Sequence, residues 1–202
     1  GSVNETGDLS YNADGAQNWG YDPENYNVPE GSYSSDPSNP SSRVTEMKQM
    51  VKGLHKNNIR VIMDVVYNHV YNAANHSFNK TVPGYYFRYD DNGSLVNDSG
   101  CGNDTASERA MMRKYIVDSV TYWAKNYNID GFRFDLMGLM DTKTMQEVRA
   151  ALDKIDPSII VLGEGWDMNS TMDKSEMTIQ PNAYQVASDG TNNGIAFFND
   201  SI

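Results

Sequence analysis

Apolar residues in this chain alternate between helical spacing and short continuous runs of strand length. Three segments have helical spacing, and an apolar run of strand length follows each of them. The predicted helices cover about 42–56, 105–127 and 142–155, and the predicted strands cover 59–66, 129–135, 159–166 and 195–198. Because apolar strands alternate with helices, the pattern predicts an α/β protein with a parallel sheet, either a barrel or a doubly wound sheet.

Capping residues predict where the three helices begin. Ser41 or Ser42 is the N-cap candidate of the first helix, and Asp141 or Thr142 is that of the third. Residues 105–108, Thr-Ala-Ser-Glu, have the spacing of a capping box at the start of the second helix. Each helix should then turn its apolar face toward the sheet.

Two segments show neither pattern. Residues 1–42 are rich in Gly, Asn, Ser, Asp, Pro and Tyr, which indicates a long loop. Its aromatic rings suit stacking on sugars, but anchoring of the loop is the simpler explanation from this segment alone. Residues 70–104 contain several turn signals and no clear helix, and a loop of this length predicts an inserted, loop-rich lobe.

Composition and charge exclude several classes of partner. The chain has 202 residues, enough for one domain with a sizeable core, and a net charge of −11. This acidity argues against nucleic acid and anionic membrane surfaces, and no apolar run is long enough to span a bilayer. No secretory signal pattern is visible at the N-terminus. The single cysteine, Cys101, cannot form an internal disulfide, and the spacing of the three histidines matches no metal motif.

Polar side chains stand at the carboxyl ends of three predicted strands. Asn68 and His69 follow the first, Arg133 and Asp135 end the second, and Glu164 ends the third. A (β/α)8 barrel keeps its catalytic residues at these strand ends, which favours the barrel. Neither a glycine-rich phosphate loop nor a Gly-x-Ser-x-Gly elbow occurs, which weakens nucleotide binding and serine hydrolysis.

Asp135 and Glu164 suit glycoside hydrolysis, which needs two carboxyl groups beside the scissile bond. Arg133 and Asp135 are two positions apart on a strand and point to the same side, so the arginine favours an ionised nucleophile. Glu164 follows an aliphatic run and precedes Trp166, and an apolar setting would keep a proton on it for the leaving oxygen.

The supporting candidates also have structural interpretations. His69 would donate a hydrogen bond to a substrate hydroxyl, and Asp64 would orient Arg133 from behind. Taken alone, His69 is more simply a core histidine, and Trp166 is equally well an ordinary core ring. The arginine and its aspartate could likewise be a buried ion pair that orders a strand end. Polar groups at three successive strand ends favour catalysis over these explanations.

Three motifs resemble the first three signature regions of the α-amylase superfamily of glycoside hydrolases. They are Asp64-Val65-Val66-Tyr67-Asn68-His69, Gly131-Phe132-Arg133-Phe134-Asp135 and Gly163-Glu164-Gly165-Trp166. Two further stretches are similar to sequences of the type I pullulanases within that superfamily. They are Asn18-Trp19-Gly20-Tyr21-Asp22-Pro23 and Gly100-Cys101-Gly102-Asn103-Asp104-Thr105-Ala106-Ser107-Glu108-Arg109. The resemblance covers nearly the whole chain.

The resemblance implies a retaining hydrolase acting on α-1,6-glucosidic branch points of pullulan, amylopectin and limit dextrins. By it, Asp135 is the nucleophile and Glu164 is the general acid/base. Arg133 would position Asp135, and His69 would bind the sugar in the cleaved subsite. Tyr21 would stack on that sugar.

Trp166 is a further substrate-binding candidate, whereas Asp64 and Asn68 would support the site without touching the substrate. Asn68 occupies a position that ligates calcium in many α-amylases, and pullulanases often lack that site. The resemblance therefore leaves calcium open without predicting it, and no other metal or cofactor is implied.

The fourth region of the family, a His-Asp pair, does not occur in this chain. Matching motifs to barrel strands predicts that residues 1–202 belong to one catalytic domain, comprising about strands 2 to 6 of a (β/α)8 barrel. The lobe at 70–104 would be inserted after the third strand. The chain would then be a fragment of a larger enzyme, inactive and aggregation-prone by itself.

Two alternatives stay open. One is another debranching or branching enzyme of the same superfamily, and the other is a non-catalytic glucan-binding remnant that lacks the third carboxylate. The expected source is bacterial, and the enzyme could be extracellular or cytoplasmic.

Overall fold

A computed structural model describes residues 20–199 as a parallel sheet with helices packed against it. The strands of this part are β1 (Ile62–Val65), β2 (His69–Val70), β3 (Asn103–Asp104), β4 (Gly131–Phe134), β5 (Ile160–Gly163) and β6 (Ala196–Phe197). The α-helices are α1 (Pro40–Lys56), α2 (Ser77–Thr81), α3 (Ala110–Tyr127) and α4 (Thr142–Asp153). Short 3-10 helices cover Gly31–Tyr33, Met137–Leu139 and Gln180–Val186.

β1, β4, β5 and β6 form one sheet in that spatial order, and every neighbouring pair is parallel. α3 lies between β1 and β4 in the chain, and α4 lies between β4 and β5. The register pairs Asp64 with Arg133 and Arg133 with Leu162, so the carboxyl ends of these strands lie level. The predicted α/β class with a parallel sheet is therefore confirmed.

The core lies between the sheet and the helices α1, α3 and α4. The helical residues in it recur at the spacing predicted from the sequence, and its fully buried members include Met112, Ile116, Val120, Met145, Val148 and Leu152. β4 adds two fully buried rings, Phe132 and Phe134. Burying side chains of this size contributes about 1.5–3 kcal/mol each, so this core fixes the sheet that carries the strand ends.

β1 is less covered than the sequence predicted. The apolar run at 59–66 predicts a strand buried on both faces, but only Ile62–Val65 is strand, and Ile59 and Ile62 are 52% and 45% exposed. β1 is the edge strand of the described sheet, so fewer neighbouring side chains cover its faces. The prediction was wrong because it assumed an interior strand.

The first and third helices begin close to the predicted residues. Asn39 caps α1 by accepting the Ser41 N–H at 3.0 Å, and Pro40 occupies the first position, so Ser41 is inside the helix and not its cap. Asp141 caps α4 by accepting the Thr144 N–H at 2.9 Å, which decides between the two predicted caps.

The predicted capping box at 105–108 is wrong. α3 begins at Ala110, and Arg109 before it makes no side-chain cap. Thr105 instead donates its hydroxyl to the Tyr67 carbonyl at 2.5 Å, and the Ser107 hydroxyl accepts the Asp141 N–H at 3.0 Å. Distant partners thus take the side chains that a local cap would use.

Residues 70–104 fold over a small apolar cluster formed by Val70, Ala73 and Phe87. β2 and β3 pair antiparallel, with His69 opposite Asp104, and so join the two ends of this segment. The expectation of no helix is wrong, because α2 lies within it.

Asn18 and Trp19 of the pullulanase-like motif lie outside the described residues. Within 20–199, no helix is long and apolar enough to cross a membrane.

Candidate active site

Arg133 joins carboxylates from three strand ends. Its Nη1 lies 2.9 Å from Oδ1 of Asp64 and 3.0 Å from Oδ1 of Asp135, and its Nη2 lies 2.7 Å from Oε1 of Glu164. Burial opposes the charge of Arg133, but the hydrogen bond and charge of Asp64 and the charge of Glu164 raise its pKa above the ordinary value. One permanently charged guanidinium therefore organises the carboxyl edge of the sheet.

Two aromatic rings lie against the same guanidinium. Cζ of Arg133 is 5.9 Å from the ring centroid of Tyr21 and 5.4 Å from that of Phe198, both within cation–π range. The Tyr21 hydroxyl donates to Oδ2 of Asp64 at 2.9 Å, and this hydrogen bond, with the charge of Asp64, raises the pKa of Tyr21. The hydrogen bond from its hydroxyl to Asp64 therefore holds Tyr21 beside the Arg133 guanidinium and its carboxylates.

Asn68 holds Asp135 from the side of β1. Its Nδ2 donates to the backbone oxygen of Asp135 at 2.8 Å and to Oδ2 of the same residue at 3.0 Å. Both carboxylate oxygens of Asp135 thus have donors, Oδ1 from Arg133 and Oδ2 from Asn68. The two donors fix the orientation of the Asp135 carboxylate.

His69 is buried and has one nitrogen free of hydrogen bonds within the described chain. Its Nδ1 lies 2.5 Å from Oδ1 of Asn68, and because that oxygen can only accept, Nδ1 carries the proton. Its Nε2 lies 3.4 Å from Oδ1 of Asp22 without hydrogen-bond geometry. In the neutral ring Nε2 is then an acceptor, so the predicted donation to a substrate hydroxyl requires a charged imidazolium.

Glu164 is held by main chain as well as by Arg133. The backbone N–H of Leu136 donates to Oε2 of Glu164 at 3.0 Å, and the N–H of Gly138 donates to its carbonyl at 2.8 Å. The predicted apolar setting of Glu164 is therefore wrong, because its two carboxylate oxygens meet a guanidinium and a backbone N–H. Sequence neighbours on a strand alternate sides, so the aliphatic run before Glu164 does not surround its side chain.

Close backbone packing sets the loops after β4 and β5. A Cβ added to Gly138 would lie 2.1 Å from the Trp166 carbonyl oxygen, and one added to Gly165 would lie 2.2 Å from the Phe197 ring. Trp166 itself is half-buried, and within 20–199 no hydrogen bond or ring contact joins its side chain to the Arg133 cluster. The structure thus brings together the predicted site residues except the Trp166 side chain.

A groove of about 870 Å³ lies beside the cluster, between β1, α1 and residues 20–34. Asp22 and Asp64 border it, but Arg133, Asp135 and Glu164 do not. The chemistry of the site therefore belongs to the strand ends and not to this groove.

The described residues offer no metal site. Within 20–199, no three His, Cys, Asp or Glu side chains are grouped as metal ligands. Both ends of the Asn68 amide have protein partners, so the residue at the calcium-binding position of many α-amylases is here used to hold Asp135 and His69.

Two residues at the site were not predicted from the sequence. Phe198 is the first residue after β6, in the same position relative to its strand as Glu164 after β5, and this position could have indicated it. Leu136 has φ +40° and ψ +48°, and nothing in a leucine predicts a left-handed backbone.

The chain is similar to known pullulanases in sequence and in fold. It is 48% identical to the pullulanase of Bacillus subtilis strain 168 over 185 residues, which cover 92% of the chain and 25% of that protein. It is 40% identical over 201 residues to pullulanase 1, chloroplastic, of Arabidopsis thaliana, covering 94% of the chain and 20% of that protein. The crystal structure of the Paenibacillus barengoltzii pullulanase complexed with maltohexaose and α-cyclodextrin matches with a TM-score of 0.86 and 52% identity, over 91% of the chain and 27% of that structure. No protein-family model matches the chain.

In its parallel sheet, its clustered carboxylates and its relatives, the chain is similar to part of a starch-debranching glycoside hydrolase. Within that class, the chain is a homologue of part of the pullulanases. It spans about a quarter of the length of the pullulanases that it matches. The resemblance seen in the sequence motifs is therefore confirmed.

Proposed function

We propose that the protein to which this chain belongs hydrolyses α-1,6-glucosidic branch linkages in pullulan, amylopectin and limit dextrins, with retention of anomeric configuration. The observation that carries the proposal is the Arg133 cluster, in which one guanidinium contacts both Asp135 and Glu164. Retaining glycosidases hold their two carboxyl groups close, about 5–5.5 Å apart, and a shared guanidinium supports such closeness. The Paenibacillus relative binds maltohexaose, which supports an α-glucan as the substrate.

Asp135 is the proposed nucleophile. Donors from Arg133 at 3.0 Å and Asn68 at 3.0 Å fix the direction of its carboxylate. Its oxygen attacks the anomeric carbon as the glycosidic bond breaks, which gives a covalent glycosyl–enzyme intermediate.

Glu164 is the proposed general acid/base. It gives its proton to the leaving glycosidic oxygen, then takes a proton from the water that hydrolyses the intermediate. Arg133 and the Leu136 N–H hold its two oxygens, which supports a fixed position for both transfers.

The proposed sugar contacts are His69, Tyr21 and Trp166. The buried Nε2 of His69, without a hydrogen bond inside the described chain, supports a contact with a sugar hydroxyl. The Tyr21 ring, fastened through Asp64, supports stacking on a pyranose face. Trp166 would add a second ring from the loop after Glu164, and Asp64 and Asn68 act through Arg133 and Asp135.

The proposal includes an architecture. Residues 1–202 would be part of one catalytic (β/α)8 barrel and supply about strands 2 to 6, with 70–104 as an inserted lobe. The sequential parallel order β1-β4-β5-β6 supports a barrel, and the pairing of β2 with β3 at the ends of 70–104 supports an insertion.

Hydrolysis of pullulan by the full-length protein tests the function. We expect release of maltotriose, with the α-anomer appearing first by NMR. Asp135→Ala and Glu164→Gln should each abolish this release, whereas Glu176→Gln, a matched change at an exposed glutamate, should not. A β-anomer as first product, or activity in either active-site variant, would contradict the proposal.

The same assay separates the alternatives. Cleavage of amylopectin without cleavage of pullulan would indicate a different debranching enzyme, and formation of new branches would indicate a branching enzyme. Binding of maltohexaose without hydrolysis by the full-length protein would indicate a glucan-binding remnant.

A further inference from the structure

We propose that Phe198 is a positioning residue that holds the Arg133 guanidinium against its three carboxylates, an inference that rests on the proposed function. The phenyl ring of Phe198 has no hydrogen-bonding or charged group, and it lies 5.4 Å from Cζ of Arg133. Its effect on catalysis would therefore pass through the arginine.

The backbone of Phe198 is fastened on both sides. Its N–H donates to the Gly163 carbonyl at 3.0 Å, and its carbonyl accepts the Gln180 side-chain amide at 2.6 Å. Gly163 directly precedes Glu164, so the same short stretch of β5 places the ring and the acid/base. The ring is thus part of the sheet edge and not of a free loop.

The ring and the carboxylates use different parts of the guanidinium. Nη1 and Nη2 point their N–H groups at Asp64, Asp135 and Glu164, which leaves the face of the planar group to aromatic rings. The face of a phenyl ring attracts a cation and excludes water from it, and Coulomb attraction increases where water is excluded. Phe198 should therefore strengthen the contacts between Arg133 and the carboxylates.

The orientation of the Arg133 guanidinium needs support because three carboxylates surround it. Asp64 from β1, Asp135 after β4 and Glu164 after β5 surround one cation, and the Tyr21 phenol is bound to Asp64. Three carboxylates compete for Arg133, so a small displacement of its plane would favour one partner over another. The Phe198 ring, which has Cζ of Arg133 over its face at 5.4 Å, restricts that displacement.

The test uses three variants of the full-length protein. Phe198→Leu removes the aromatic face but keeps an apolar side chain, whereas Phe198→Tyr and Phe198→Trp keep a face. We expect Phe198→Leu to lower kcat about tenfold with KM within about twofold, because the catalytic carboxylates lose their fixed partner and the sugar contacts remain. The pH–rate profile should change as well, because Arg133 contacts both Asp135 and Glu164.

The aromatic variants and a control decide whether the ring face matters. Phe198→Tyr and Phe198→Trp should restore kcat and the pH profile, and Tyr184→Leu, a change at an exposed ring, should leave both unchanged. An unchanged kcat and pH profile in Phe198→Leu would overturn the inference. Equal losses in the leucine and tyrosine variants would also overturn it, since packing would then explain the effect.

A crystal structure of the full-length Phe198→Leu protein gives a readout that needs no activity. We expect at least one of the contacts from Arg133 to Asp135 or Glu164 to lengthen beyond ion-pair distance. Three unchanged contacts would overturn the inference. If the wild-type protein fails to cleave pullulan, the proposed function falls, and this structure still decides whether Phe198 positions Arg133.

Discussion

Leu136 holds Glu164 through its main chain, because its N–H lies 3.0 Å from Oε2 of Glu164 while its own backbone is left-handed, with φ +40°. A non-glycine residue in this conformation costs about 1–3 kcal/mol and persists only when its surroundings impose it. The flanking contacts do so here. The Asp135 N–H donates to the Val65 carbonyl, and the Gly138 N–H donates to the Glu164 carbonyl. The strain is thus located between Asp135, the proposed nucleophile, and the contact with Glu164, the proposed acid/base.

Leu136→Gly should keep kcat within about twofold, because glycine adopts the left-handed backbone readily and retains the N–H donor. Leu136→Val should lower kcat about tenfold, although valine keeps more of the side chain, because β-branched residues are rare outliers at positive φ. Steady-state hydrolysis of pullulan by the full-length variants measures both. Equal activity in the two variants would contradict the role of the backbone conformation.

Gly138→Ala should destabilise the protein by about 1–3 kcal/mol, because the new Cβ would meet the Trp166 carbonyl oxygen and force the backbone to move. Gly53→Ala is the matched control. A Cβ at Gly53, in α1, meets nothing within 4 Å, so we expect a gain of about 0.5–1 kcal/mol. Denaturant unfolding of the full-length variants measures both changes. An unchanged free energy of unfolding in Gly138→Ala would show that the loops after β4 and β5 can move apart without cost.

His76 should make stability depend on pH. Burial lowers its pKa below 6.5, its ring packs edge-on against Phe78 at 4.6 Å, and its Nδ1 accepts the Phe78 N–H at 3.2 Å. The folded state therefore prefers the neutral ring. Its contribution is complete above about pH 6.5 and is lost as the pH falls below that value toward the lowered folded pKa.

Replacing His76 by asparagine tests this dependence. His76→Asn keeps a side chain that can cap α2 and removes the titrating group. Between pH 7.5 and 5, the Tm of the wild-type protein should fall more than that of the variant. Parallel curves for the two proteins would exclude His76 as the source.

Asn68→Asp should lower kcat about a hundredfold, because it replaces a donor to Asp135 with a second negative charge. Asn126→Asp is the matched control, since Asn126 is exposed on α3 and, within residues 20–199, its side chain bonds only the Tyr122 carbonyl. Pullulan hydrolysis near neutral pH measures the effect. Full activity in Asn68→Asp would show that Asp135 needs no donor from β1.

The sheet and the location of the site could be predicted because both depend on local pattern. Polar residues that end apolar runs, such as Asn68, Asp135 and Glu164, mark the carboxyl ends of parallel strands wherever the runs are correctly recognised. The register then brings them together without further information. Arg133 and Asp135 lie two positions apart, and their contact at 3.0 Å follows the strand period.

What could not be predicted depends on distant partners. Ser107 lies in a segment with the spacing of a helix cap, but its hydroxyl accepts the Asp141 N–H. The local sequence does not indicate this distant partner. In the sequence, Phe198 is simply one apolar residue in an apolar run. Its position beside Arg133 results from the pairing of β6 with β5. The exposure of Ile62 depends on its position at the edge of the described sheet, which the order of segments along the chain does not give.

Because β2 and β3 pair at the two ends of residues 70–104, the geometry of the site at His69 depends little on the length of this segment. His69 is paired there with Asp104, so the ends of 70–104 stay together whatever lies between them. Adding residues to such a closed loop costs little free energy, because closure entropy grows only slowly with length. Insertions at the exposed turns of this segment should therefore be tolerated, while the pairing of His69 with Asp104 keeps the imidazole in place.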